Sequence, residues 1–84
     1  MADKDQLQRL VYDLQRTVIR EVTGHDALIA ADWAEDAMEE TFVDTPRSSV
    51  LRIYLDEIHK RAPHSREIVE IIETIKHLIV SRET

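Results

Sequence analysis

The 84-residue chain contains no cysteine, one glycine, two prolines and one tryptophan, and each scarcity excludes something. Without cysteine there is no disulfide framework, no thiolate metal site and no thiol nucleophile, a composition that suits a reducing compartment. A single glycine rules out the phosphate-cradling loops of P-loop and dinucleotide-binding proteins. The longest uninterrupted apolar run is Ala-Leu-Ile-Ala-Ala at 27–31, far short of the roughly 20 residues that span a bilayer. The first twenty residues include Asp3, Lys4, Asp5, Arg9, Asp13, Arg16 and Arg20, too charged for the apolar centre of a signal peptide. These absences predict a soluble, cytoplasmic protein without a membrane partner.

Negative charge is abundant but unevenly spread. Seventeen acids oppose eleven bases, for a net charge of −6. That balance argues against direct nucleic-acid binding, which needs a basic surface to displace counterions from phosphates. Between Glu21 and Asp44 there are eight acids and no lysine or arginine. The rest of the chain is slightly basic, so the excess belongs to one segment.

The few helix breakers cut the chain into four pieces. Gly24, Pro46 and Pro63 separate helices expected at about 4–22, 27–43, 46–61 and 66–82. In the first, Leu7, Leu10, Val11, Leu14, Val18 and Val22 cover an arc of about 120° at helical spacing. Asp3 is its expected cap. Asp26 is the expected N-cap of the second helix, with a break near Asp32 as an alternative because Asp32 and Glu35 have capping-box spacing. Thr45 is the expected cap of the third, with Pro46 in its first position and Val50, Leu51, Tyr54, Leu55 and Ile58 inward. Ser65 caps the fourth, where Glu67 near the start and Lys76, His77 and Arg82 near the end suit the helix dipole. The stretch Glu67–Ile75 is rich in β-branched residues, but its apolar positions follow the helical period rather than strict alternation. The short loops predict an all-α, small four-helix bundle with antiparallel neighbours, forming one domain over 1–84.

Two helices depart from simple amphipathic design. On the second, Ala27, Ala30, Ala34, Ala37 and Thr41 line the inward arc, flanked by Trp33, Met38 and Phe42, all read as core. Its opposite arc holds Asp32, Glu35, Asp36, Glu39 and Glu40. The like-charged pairs 32/36, 35/39 and 36/40 together oppose helix formation by about 1 kcal/mol. Such a face is solvated and balanced by Arg9, Arg16 and Arg20 of the first helix, or a docking surface for a basic partner, or a cation site. The fourth helix carries apolar residues over about 200° of arc, wider than a surface helix needs. Either it touches two neighbours, or Ile68, Ile72, Ile75 and Ile79 form the interface of a homodimer, the reading adopted. Tyr12, Ile19 and Ile53 also lie off their helices' main stripes.

Candidate chemistry is sparse. Asp56/His59 and Glu73/His77 have the i,i+3 and i,i+4 spacing of metal ligands, yet the helical wheel turns them outward and the chain has no Glu-x-x-His pair. His25 and His64 fall in turns. Glu67, Glu70 and Glu73, with Asp36 and Glu39, loosely resemble the magnesium-binding carboxylates of all-α nucleotide pyrophosphohydrolases, but these side chains point away from the apolar arc. The expectation is therefore a non-enzymatic, inhibitor-like or regulatory interaction protein, without metal or cofactor. It meets a basic protein surface through Asp32, Glu35, Asp36, Glu39 and Glu40. The rivals are a carboxylate-based metal or nucleotide-hydrolysing enzyme, and a structural subunit that uses the apolar face of the fourth helix.

Overall fold

The computed structural model describes the backbone of residues 2–83 and the side chains of residues 4–80. The side chains of Asp3 and Arg82, expected to serve a cap and a helix dipole, lie outside the described residues. Four helices follow one another: α1 (Ala2–Glu21), α2 (His25–Glu40), α3 (Ser48–Arg61) and α4 (Arg66–Glu83). They pack in a ring, α1 on α2, α2 on α3, α3 on α4 and α4 on α1, and among the described residues the diagonal pairs make no close backbone contact. No described helix is long and apolar enough to cross a membrane.

The predicted stripes converge on one core. Leu7, Val11, Leu14 and Val18 of α1, Leu51, Leu55 and Ile58 of α3, and Ile68, Ile72, Ile75 and Ile79 of α4 are all completely buried. The contribution of α2 is Ala30, Ala34 and Ala37, equally buried. Small side chains let neighbouring backbones come close, and α2 makes the two most extensive helix pairings. Larger residues close the flanks: Trp33 is half-buried, its ring 5.6 Å from that of Tyr54.

The four α4 isoleucines correct the expected homodimer interface. With no exposed surface left, Ile68, Ile72, Ile75 and Ile79 have nothing to offer a second chain. The wide apolar arc of α4 is covered from two sides, by α1 and α3. The radius of gyration, 11.8 Å, equals the roughly 12 Å of a compact chain of this length. Its accessible surface, 5316 Å², likewise matches the roughly 5,200 Å² of a compactly folded chain of this size. Tyr12, Ile19 and Ile53 are exposed, as their positions off the stripes imply.

Helix boundaries differ from expectation where local geometry intervenes. Gly24, at φ 73°, is the N-cap of α2 in place of Asp26. Its left-handed backbone turns the chain at once, and its carbonyl accepts the N–H of Ala27 at 3.1 Å, so Asp26 falls within the first turn. Helix α2 then passes Asp32 without a break and stops at Glu40, three residues before the predicted end. The N–H groups of Thr41, Phe42 and Val43 reach back only to the carbonyls of Met38, Glu39 and Glu40, the i→i−3 pattern of a tightened 3₁₀ turn. Helix α3 starts at Ser48, not at Pro46 with Thr45: Arg47 is the N-cap, its backbone extended at φ −89° and ψ 116° and its carbonyl accepting the N–H of Leu51 at 3.0 Å. Ser65 caps α4 as expected, its Oγ accepting the N–H of Ile68 at 3.3 Å.

Candidate functional site: the outer face of α2

Four of the five predicted docking residues share the outer face of α2. Asp32, Glu35, Asp36 and Glu39 are exposed, and no hydrogen bond or ion pair among the described residues engages their carboxylates. The arrangement works against the helix twice. The carboxylates repel one another at i,i+4, and Glu39 sits in the last turn, where the helix dipole is negative and there is no base.

Glu40 does not belong to this face. It is 5% exposed, and it accepts three hydrogen bonds from Arg47: from the backbone N–H at 2.9 Å and Nε at 3.0 Å on Oε2, and from Nη2 at 2.9 Å on Oε1. Glu40 lies one turn after Ala37 on the inward-turning flank of α2, and the connection brings Arg47 back onto it. The guanidinium fork matches a carboxylate bidentately. Arg47's side-chain hydrogen bonds hold the Glu40 carboxyl below its ordinary range against the opposing effect of burial. This clamp escaped sequence reasoning, although one signal pointed to it: Arg47 is the first base after a 26-residue stretch, 21–46, that has none.

Among the described residues no ion pair joins the basic residues of α1 to the acidic face. Arg20 pairs with Glu67 and Glu21 at the far corner of the bundle. There the Ser65 hydroxyl donates to Glu21 Oε1 at 2.5 Å and, with Arg20, holds the Glu21 carboxyl low. Arg16 lies over the Tyr12 ring, 5.8 Å from its centroid. Other cations are also committed: Arg61 to Asp26 at 3.9 Å, Lys60 to Glu57 at 2.9 Å and Lys76 to Asp56 at 2.8 Å.

The residues of the rival enzyme reading stay apart. Asp56, Glu67, Glu70, Glu73 and His77 are exposed and His59 is half-buried. Among the described residues no group of three or more His, Asp or Glu could hold a metal ion. A depression of about 580 Å³ is lined by Ile53, Asp56, Glu57, His59, Lys60 and Pro63 and contains no residue of α2. No family model, curated protein or solved structure matches this chain.

Proposed function

We propose that this protein is a binding module whose α2 face, Asp32, Glu35, Asp36 and Glu39, docks the basic surface of another protein. One observation carries the reading: these four carboxylates cluster on one helix face, exposed and without a cation among the described residues, whereas Glu21, Asp26, Glu40, Asp56, Glu57 and Glu67 engage cations of the chain itself. An uncompensated single-sign surface attracts opposite charge, raising the association rate and selecting the partner. The bundle presents the face on a rigid helix, with α2 anchored by α1 and α3. Antiparallel neighbours are part of this reading, supported by contacts between opposite helix ends: Gln8 with Thr41, Arg20 with Glu67 and Asp26 with Arg61.

Titration with a lysine- and arginine-rich peptide, followed by amide chemical shifts, tests it. Shifts should concentrate on residues 32–39, weaken in the Asp36→Gln/Glu39→Gln double variant and fade as salt rises. Shifts centred instead on Glu70 and Glu73 of α4, which are also exposed, would move the site off α2.

A further inference from the structure

The acidic face of α2 does not end in more charge; it ends in an aromatic ring. In a 3₁₀ turn, residues three apart eclipse one another. Phe42, whose N–H donates to the carbonyl of Glu39 at 3.1 Å, therefore follows the exposed face of Glu39 and not the inward flank beside Met38 to which the α-helical period assigns it. Phe42 is 64% exposed and Val43, next to it, 40%. This contradicts the sequence-based placement of Phe42 in the core.

A slack loop does not account for that exposure. Thr41 is fully buried, its hydroxyl donating to the Met38 carbonyl at 2.6 Å and its own carbonyl accepting Gln8 Nε2 at 3.1 Å. Beyond the tip, Pro46 is buried and Arg47 is held by Glu40. The segment is anchored at both ends, and between the anchors it displays two adjacent apolar side chains flanked by Glu39 and Asp44. A preformed aromatic anchor beside charged rim residues is the anatomy of an energetic centre in protein interfaces.

We infer that Phe42, supported by Val43, is the apolar anchor of the α2 docking surface, so that the partner presents a basic segment carrying an apolar side chain and not a purely charged one. The inference rests on the acidic-face reading above, since the sign of the flanking carboxylates sets the charge of the partner.

Two synthetic helical peptides test it. They carry the same number of lysines, one with leucines along a single face and the other with glutamines there. Wild-type protein should bind the leucine peptide at least about tenfold more tightly. Phe42→Ala should bring that ratio close to one and leave affinity for the glutamine peptide unchanged. Circular dichroism and a urea midpoint should show that this exposed substitution leaves the fold intact. Equal affinity of the wild type for both peptides, or an undiminished preference in Phe42→Ala, would overturn the anchor while salt-sensitive binding kept the acidic-face reading standing. Binding indifferent both to salt and to Asp36→Gln/Glu39→Gln would overturn that reading and, with it, the partner's assigned charge. A wild-type dimer in sedimentation that Phe42→Ala converts to monomer would overturn the assignment as well, because the anchor's occupant would then be a second copy of the chain.

Discussion

The outer face of α2 and the corner where α2 turns into α3 are built from the same side chain, one residue apart. Glu39 is exposed and unpaired; Glu40 is buried and accepts three hydrogen bonds from Arg47. Around Glu39 the carboxylates oppose the helix that carries them. At Glu40 a carboxylate joins two helices and fixes the connection between them. Acidity alone therefore does not mark a functional residue in this protein. What separates the two is whether the chain supplies its own cation, and on the outer face it supplies none.

The comparison breaks most readily at Glu40. Glu40→Ala removes both the guanidinium's partner and the acceptor of the Arg47 N–H. We expect a loss of about 2 kcal/mol in urea unfolding, below the range for a fully buried pair because the Arg47 side chain remains exposed to water. Glu39→Ala should change stability by less than about 0.5 kcal/mol. Equal losses in the two variants would show that burial and pairing do not distinguish them.

Acid should reveal the same difference. The Glu40 carboxyl is held below its ordinary value of 4.5, chiefly by the side-chain hydrogen bonds of Arg47. A depressed carboxyl contributes stability above the unfolded value and loses it as pH falls through the lower folded value. Wild-type stability should therefore drop more steeply below pH 4.5 than that of Glu40→Gln, measured as urea midpoints across an acid series. Some dependence should survive in the variant, because Ser65 and Arg20 also hold Glu21 low. Identical slopes would remove the clamp's electrostatic role.

The smallest expected effect sharpens the other side of the comparison. Replacing Asp36 and Glu39 by Gln relieves the like-charge pairs 32/36 and 35/39, and stability should rise by a few tenths of a kcal/mol. Raising salt should shrink that gain by screening the charges in the wild type. Stability and binding then move in opposite directions: the variant folds slightly better and binds a basic peptide less well. A double variant that lost stability would mean that these carboxylates have partners within the fold.

Much of the architecture follows from local rules. Leu7, Val11, Leu14 and Val18 recur at helical spacing, and the burial of all four needs no knowledge of their neighbours. Ser65 caps α4 because its hydroxyl reaches an N–H three residues away, a contact written in four consecutive positions. The small residues of α2 likewise mark where another helix comes close. The errors lie where one segment's fate depends on another. The α4 isoleucines look surplus when α4 is read alone and are consumed once α1 and α3 cover it from two sides. Phe42 fits the core by its α-helical angle and leaves it because the last turn tightens.

From sequence alone came the four helices, the apolar stripes and the concentration of acid between Glu21 and Asp44, because these depend on periodicity, capping and composition within short windows. Only the tertiary structure decided which carboxylates are free. Whether Glu40 is solvated or clamped depends on a chain path that carries Arg47 back across seven residues, and whether Arg20 answers α2 or Glu67 depends on which helix stands beside it. Pairing energies fall steeply with distance, and distance between segments is a property of the packed fold.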